Sequence, residues 1–300
     1  MYLTHFGLSE KPFSLIPDGD DIFLSPGHTA AFSMLEFGVF EQVGITVITG
    51  EVGAGKTTLI RHLLGRINYG ELTVGLIGTA HESYGTLLKW IVDALRITVP
   101  SGDESAMLQA LQQFLVDQYA AGKRTVVIVD EAQNMTAEDL ESLRLLTNIN
   151  ADKNQLLQII LVGQPELLQM FYRPDMSQLA QRVSAEYNLG PLDAQGTMSY
   201  VRYRLEQAGA TRDLFDLGAL LAIYYYSGGI PRIINTLCDG ALVFAYGQCH
   251  EKVHLNIVLD VVRAKQIGGI HRASMDSPGR EKVRADMIKL KGVDLMELVG

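Results

Sequence analysis

A glycine-rich stretch between residues 50 and 58 could bind phosphate. Its residues run Gly50-Glu51-Val52-Gly53-Ala54-Gly55-Lys56-Thr57-Thr58, a complete G-x-x-x-x-G-K-[ST] phosphate loop, or Walker A motif. Glycines allow successive backbone N–H groups to converge on phosphate oxygens at the positive end of the next helix. Lys56 is expected to reach the β- and γ-phosphates, and the Thr57 hydroxyl to bind Mg²⁺. A chance glycine turn is the alternative, but the apolar run at 45–48 and the helical spacing at 59–64 are the flanks that the motif requires.

Two carboxylates follow an apolar strand pattern later in the chain. The run Val126-Val127-Ile128-Val129 is typical of a central parallel strand buried on both faces, and Asp130 and Glu131 come directly after it. Open α/β sheets bind ligands at the carboxyl ends of their strands. Asp130 is therefore expected to hold Mg²⁺ through its waters, and Glu131 to orient and polarise an attacking water. An acidic pair that only caps the next helix is the alternative interpretation.

Two further polar residues could contact the γ-phosphate. Gln164 follows the strand pattern at 156–162, where it could touch the γ-phosphate and the attacking water, unless it is only a turn residue. Arg232 follows Gly228-Gly229-Ile230-Pro231 at the start of a predicted helix. The dipole does not favour a cation at that end, so a strong anionic partner such as a phosphate is expected for Arg232.

An arginine near the last strand could act on a neighbouring subunit. Arg182 ends a predicted helix and leads into the strand pattern at 185–189. In that place it could enter the nucleotide site of the next subunit as an arginine finger. It could equally be a cation that the negative end of its own helix favours. Arg173 is the second candidate for the finger.

The order of the patterns predicts an α/β fold followed by a helical domain. Strand and helix patterns alternate up to residue 190, and helical patterns alone follow at 194–207, 213–226, 231–247 and 256–267. We therefore predict a P-loop NTPase core with a parallel sheet, and a C-terminal all-helical lid. The predicted parts are an N-terminal segment by the nucleotide site (1–43), the ATPase core (44–190), the lid (191–270), and a linker with a C-terminal helix (271–300).

The two ends of the chain are predicted with less detail. Residues 1–43 contain three prolines among turn formers and predict an irregular segment with one helix at 28–40. This segment could form a wall for the adenine or simply pack on the core. Residues 271–300 contain six Lys and Arg against five Asp and Glu, so they are not a basic arm. A loosely held helix or a partner-docking segment is expected there.

Composition narrows the class of protein. The 300 residues are 47% hydrophobic and carry a formal net charge of −9, which argues against non-specific binding of nucleic acid or anionic lipid. Cys238 and Cys249 lie in an apolar helical stretch and are expected to be buried free thiols in a reducing compartment, with a disulfide or metal site as the alternative. The sequence predicts neither a signal peptide nor a membrane span, so we expect a cytoplasmic protein.

Several runs together resemble the AAA+ ATPases of the ExeA/GspA type, across nearly the whole chain. They are Phe6-Gly7-Leu8 with Lys11-Pro12-Phe13-Ser14, Pro17, Leu24-Ser25-Pro26 and His28, then 49–58, 129–134, 159–167, 179–182 and 228–235. The Gly163-Gln164-Pro165-Glu166-Leu167 and Gly228-Gly229-Ile230-Pro231-Arg232 runs are more specific to this branch than the phosphate loop is. The resemblance implies ATP hydrolysis, a helical lid with Arg232 as its sensor, and assembly between subunits with Arg182 as the finger.

The sequence also departs from that family's pattern. Secretion-associated members carry a membrane span and a peptidoglycan-binding domain after the lid, whereas this sequence looks more like the short forms of pilus-biogenesis or exosortase-associated polysaccharide systems. Family members often place a second basic residue in the strand after Arg182, where this chain has Ala185-Glu186. A second contact between subunits is therefore not predicted.

Three functions are compatible with these features. The leading hypothesis is an ATP- and Mg²⁺-dependent AAA+ motor that forms a ring or filament and serves bacterial envelope partners, in the cytoplasm or at the inner membrane through those partners. The second is a DNA-binding regulator of the transposition type, against which the net charge argues. The third is an interaction module that binds ATP but scarcely hydrolyses it, against which Asp130 and Glu131 argue.

Overall fold

The computed structural model describes residues 2–14, 22–41, 43–78, 85–100, 102–151, 154–265 and 278–296. The chain divides into two compact units. The sheet unit comprises Pro26–Val52 and Lys56–Leu189, and the helical unit comprises Met1–Ser25, Gly53–Gly55 and Gly190–Gly300. The predicted N-terminal segment 1–43 is thus shared between the two units. The reason is that Tyr2, Phe6, Leu8 and Phe13 lie in the core of the helical unit.

A parallel sheet forms the centre of the sheet unit. Its strands, with one short hairpin, are β1 (Ile45–Gly50), β2 (Leu72–Ile77), β3 (Arg124–Val129), β4 (Asn150–Ala151), β5 (Asn154–Gln155), β6 (Leu157–Gly163) and β7 (Val183–Leu189). Five of them pair in parallel in the order β2-β3-β6-β1-β7. Every residue of β1 and β6 is buried, as expected for strands covered on both faces. The antiparallel pair β4–β5 replaces part of the loop predicted at 150–154.

Helices precede the first strand of this unit and connect its strands. They are α2 (Pro26–Phe40), α3 (Lys56–Arg66), α4 (Leu87–Ala94), α5 (Glu104–Ala120), α6 (Ala137–Leu146), α7 (Glu166–Phe171) and α8 (Ser177–Ala180), while α1 (Tyr2–Phe6) belongs to the helical unit. Local chemistry accounts for several of their starts. Pro26 opens α2, and Thr136 with Asp139 forms a capping box at the start of α6. The predicted start of α4 near Tyr84 lies outside the described residues.

The helical unit packs its helices around one apolar core. Besides α1 these are α9 (Ala194–Gln207), α10 (Leu217–Ser227), α11 (Pro231–Gly247), α12 (Leu255–Ala264) and α13 (Pro278–Lys291). Asp193 caps α9 and Asp216 caps α10 through side-chain hydrogen bonds to the backbone. The helix predicted at 213–226 begins four residues later, because Asp216 is its cap. The predicted lid end at 268–270 lies outside the described residues.

The C-terminal helix is part of this core, whereas the sequence predicts a loosely held helix or a partner-docking segment there. Val283 and Met287 on α13 are buried, as is Leu295 after it. Arg284 and Asp294 form a paired contact, with Nε–Oδ1 and Nη2–Oδ2 distances of 2.7 and 2.6 Å. The Tyr226 hydroxyl donates to the Leu295 carbonyl at 2.6 Å. The residues of 271–300 that the structure describes therefore dock on α10. The first part of the predicted linker, 274–277, is not among them.

The two cysteines differ from their predicted burial. Both are free thiols, and Cys238 is buried as expected, which raises the pKa of its thiol well above the ordinary value. Cys249 is exposed, because it lies beyond the C-terminus of α11 in a left-handed conformation (φ 58°). Across the described residues, no helix combines the length and the apolar character needed to cross a membrane.

Candidate nucleotide-binding site

The phosphate loop joins β1 to α3 through a backbone that requires glycine. Gly53 and Gly55 have φ values of +82° and +104°, which L side chains rarely adopt. Gly50 ends β1, Glu51 and Val52 are exposed, Ala54 is buried, and Lys56, Thr57 and Thr58 form the first turn of α3. The loop thus leads into the positive end of a helix, the arrangement that binds phosphate in other proteins.

Lys56 is buried at the base of the loop. Its ammonium donates to the carbonyl oxygens of Gly50 and Glu51 at 2.7 and 3.0 Å. Burial lowers the pKa of Lys56, and the negative charges of Glu131 and Asp130 oppose that shift. The lysine therefore supplies a positive charge that is held by the loop and faces two carboxylates.

Thr57 and Asp130 lie together although they are far apart in sequence. The Thr57 hydroxyl donates to Asp130 Oδ2 at 2.8 Å, and the Glu131 N–H donates to Asp130 Oδ1 at 2.9 Å. Asp130 is buried, and burial raises the pKa of its carboxyl, whereas these two hydrogen bonds lower it. Hydroxyl and carboxylate oxygens are the ligands that Mg²⁺ prefers. The structure therefore brings the two predicted metal residues together at the end of β3.

Glu131 adopts a left-handed conformation directly after β3. Its φ and ψ are 53° and 38°, and it opens a 3₁₀ turn over Ala132–Asn134. Its Oε2 accepts from the side-chain amide of Gln133 at 2.7 Å and from that of Gln164 at 3.4 Å, the latter a long contact. Gln164, directly after β6, thus lies beside the Glu131 carboxylate.

Gln133 is the site residue that the motif analysis did not single out. Its Oε1 accepts from the Gln164 N–H at 3.0 Å, while its Nε2 bonds to Glu131. A signal was present in the sequence, since Gln133 lies two residues after Glu131 in the Asp-Glu-Ala-Gln-Asn run. Its partner Gln164, directly after β6, becomes evident only when β3 and β6 are adjacent.

The two finger candidates have different partners. Arg182, between α8 and β7, donates to Thr147 Oγ1 at 2.8 Å and to Asn148 Oδ1 at 2.6 Å. Arg173 forms a two-point ion pair with Asp175, with distances of 3.1 and 2.6 Å. Arg182 is thus held by neutral groups, whereas Arg173 is held by an exposed carboxylate.

Arg232 lies in the helical unit at the start of α11. Its backbone N–H donates to the Gly53 carbonyl at 3.2 Å, within the same unit. Its side chain is exposed. Three residues later, Asn235 accepts a buried hydrogen bond from the Tyr200 hydroxyl at 2.9 Å, which ties α11 to α9. The start of α11 is therefore fixed within its own unit, with Arg232 at its surface.

Together these features define a class of protein. The fold is the AAA+ type of P-loop fold: it has a parallel sheet, a phosphate loop after β1, a carboxylate pair after β3 and a helical C-terminal unit. The predicted fold class is therefore confirmed. Residues 41–171 match the family described as AAA domain.

A secretion protein matches most of the chain. General secretion pathway protein A of Aeromonas hydrophila is 42% identical over 275 residues, which are 90% of this chain and 49% of that protein. The chain therefore spans about half the length of the curated relative that it matches. It belongs to the AAA ATPases of the ExeA/GspA type, as its sequence runs predict.

Solved structures share the fold at low identity. The Aeropyrum pernix ORC2 protein superposes with a TM-score of 0.63 at 17% identity, covering 95% of this chain and 85% of that one. The Thermotoga maritima RuvB Holliday junction branch migration motor gives 0.51 at 16% identity, with 92% and 80% covered. At such identities the likeness concerns the fold alone.

Proposed function

We propose that the chain binds ATP with Mg²⁺, hydrolyses it at a subunit interface, and so drives assembly or remodelling in a bacterial envelope system for secretion, pilus formation or polysaccharide export. One observation carries the proposal. The Thr57 hydroxyl lies against the buried Asp130 carboxylate at 2.8 Å, directly after a phosphate loop and directly before Glu131. This is the arrangement that Mg²⁺-dependent phosphoryl transfer requires.

The residues present fit both ATP and Mg²⁺. Gly53 and Gly55 give a backbone cradle without side chains, and Lys56 supplies a fixed positive charge for the β- and γ-phosphates. Thr57 would bind the metal directly, and Asp130 would hold it through waters. When bound, Mg²⁺ neutralises charge that develops on the phosphates. A site of this kind needs few protein ligands, and among the described residues no cluster of three or more His, Cys, Asp or Glu offers another metal site.

The chain's own groups then have separate roles. Glu131 orients the attacking water and receives its proton, since its carboxylate lies beside the metal residue at the end of β3. Gln164 lies against that carboxylate and would fix the position of the water. Lys56 stabilises negative charge on the phosphates. Most of the catalysis is therefore positioning and charge neutralisation, because phosphoryl transfer leaves the protein little covalent chemistry.

Two arginines would complete the reaction. Arg182 would act in trans, reaching the nucleotide of the next subunit in a ring or filament, because its hydrogen-bond partners Thr147 and Asn148 carry no charge that competes with a phosphate. Arg232 would sense the γ-phosphate from the helical lid, and its backbone bond to Gly53 supports a connection with the phosphate loop. A change in the lid on hydrolysis would pass to partner proteins.

The similarity to General secretion pathway protein A supports a client in an envelope apparatus. ATP is available on the cytoplasmic side of the inner membrane, so we place the reaction there, with membrane proximity supplied by partners. A DNA-directed role has no specific support, since the likeness to ORC proteins and RuvB rests on identities of 16–17%.

The test is the ATPase rate as a function of protein concentration, with and without duplex DNA. We expect a rate that rises cooperatively and ignores DNA. Glu131→Gln should abolish it, Arg182→Ala should reduce it about a thousandfold, and Arg173→Ala, the matched control, should leave it unchanged. A several-fold increase with DNA would instead make the DNA-directed function the better one.

A mixing experiment separates a finger in trans from a structural arginine. The Glu131→Gln subunit retains Arg182, and the Arg182→Ala subunit retains its own Glu131. If the finger acts in trans, a mixture of the two inactive variants regains part of the wild-type rate. A mixture that stays inactive would show that Arg182 serves only its own subunit.

A further inference from the structure

Gln133 uses both ends of its side chain to join the predicted water-orienting residue to the neighbouring strand. Its Nε2 donates to Glu131 Oε2 at 2.7 Å, and its Oε1 accepts from the Gln164 N–H at 3.0 Å. The first bond is to a charged acceptor and the second is to a backbone donor. A carboxamide is the group that can make both bonds at once, because it carries a donor and an acceptor.

Gly163 provides the space in which this bridge lies. An added Cβ at Gly163 would come within 2.9 Å of Gln133 Oε1 and within 3.2 Å of the Gln133 backbone nitrogen. The end of β6 therefore approaches the turn after β3 so closely that a methyl group would displace the carboxamide. Gln133 thus supplies two of the three atoms that crowd a side chain at Gly163, the third being Leu167 Cδ2 at 3.1 Å.

The Glu131 carboxylate also needs a contact from another residue to fix its position. Glu131 occupies a left-handed conformation, which non-glycine residues rarely adopt. The turn that follows is anchored, since Ala132 is buried and the Asn134 N–H donates to the Glu131 carbonyl at 3.0 Å. The backbone is thereby fixed, but a glutamate side chain still has three torsions. The hydrogen bond from Gln133 restrains them.

We propose that Gln133 is a positioning residue, which holds the Glu131 carboxylate against Gln164 so that both act on the same water. This inference rests on the proposed function, in which Glu131 serves ATP hydrolysis. Because Oε2 accepts both amides, the proton of the attacking water passes to Oε1. Gln133 itself touches neither nucleotide nor water.

The proposal predicts a loss of turnover without a loss of binding. Gln133→Ala should lower kcat about 10- to 100-fold, the effect of one lost hydrogen bond to a charged group. Gln133→Glu keeps the shape and the acceptor for the Gln164 N–H but loses the donor, so it should be impaired at least as much. The Kd of a fluorescent ATP analogue should change less than about twofold. Gln112→Ala, an exposed glutamine on α5, is the control and should match wild type.

Gly163→Ala tests the same bridge from its other side. Since the added methyl group displaces the Gln133 carboxamide, this variant should reproduce the Gln133→Ala rate, and the double variant should be no slower than either single one. Multiplying losses would overturn the bridge. Thermal melting of each variant checks that the fold is retained.

The outcomes separate this inference from the proposed function. If Lys56→Ala and Glu131→Gln are inactive while Gln133→Ala and Gln133→Glu turn over at the wild-type rate, Gln133 is not a positioning residue and the ATPase proposal stands. If Glu131→Gln hydrolyses ATP as wild type does, the proposed function itself is wrong.

Discussion

Truncation of Met287 tests whether the C-terminal helix contributes to folding. Met287 on α13 is fully buried in the helical-unit core, whereas its neighbour Ile288 is 45% exposed. Met287→Ala removes three heavy atoms, worth about 0.8 kcal/mol per methylene equivalent. The cavity left behind adds to this loss. We therefore expect the free energy of unfolding to fall by about 2–4 kcal/mol.

Ile288→Ala is the matched control on the same helix. It should cost less than about 1 kcal/mol, because little of the lost surface was buried. Urea unfolding followed by circular dichroism measures both variants, and proteolysis within α13 gives a second readout of its release. Equal values for the two variants would refute the reasoning and return the helix to the loosely held state that the sequence suggested.

Two further predictions concern the nucleotide site. Burial raises the pKa of the Asp130 carboxyl, so the folded protein binds the carboxyl proton more tightly than the unfolded chain does. The contribution of Asp130 to the free energy of unfolding therefore falls as pH rises from 3.8 through the raised pKa. Asp130→Asn should therefore be more stable than wild type at pH 7 without nucleotide, and this difference in stability should shrink toward pH 4. Its Mg²⁺-dependent ATPase rate should fall about a hundredfold or more. A lower melting temperature than wild type at pH 7 would contradict the stability prediction. Gly53→Ala should weaken binding of a fluorescent ATP analogue about 5- to 30-fold. The added Cβ would sit at a positive φ and 2.5 Å from the Arg232 Cβ, so the free loop relaxes away from the conformation that binds phosphate. Gly65→Ala, with nothing within 4 Å of the added Cβ, should bind normally. Unchanged binding by Gly53→Ala would show that the loop adapts.

Features set by local chemistry were predictable from the sequence. The phosphate loop lies between β1 and α3 because its glycines accept positive φ values and the flanking runs have strand and helix periodicity. The apolar run before Asp130 forms a buried central strand, as four branched residues in succession indicate. The helix α11 begins at Pro231 and ends at Gly247, the predicted bounds, because proline suits a first turn.

Features that depend on distant partners were not predictable. Cys249 belongs to the same apolar stretch as Cys238, yet it is exposed because α11 ends two residues before it. The mixed charges of residues 271–300 predicted a loosely held helix or a partner-docking segment. The packing of Val283 and Met287 in the core of the helical unit shows which face of α13 is covered. A hydrophobic pattern states that a face is apolar, but it does not name the surface that buries it.

The Gln133 bridge between the ends of β3 and β6 depends both on local sequence and on a distant partner. In the sequence, the Asp-Glu-Ala-Gln run indicates a role for Glu131, and the Gly-Gln-Pro-Glu run indicates a separate role for Gln164. In the structure Gln133 of the first run fills the space that Gly163 of the second leaves open, and it bonds to the backbone of Gln164. The glycine of one run and the glutamine of the other therefore depend on each other. A substitution at either position has to be judged by its effect on the Glu131 carboxylate, and variants that change both positions are needed to measure that dependence.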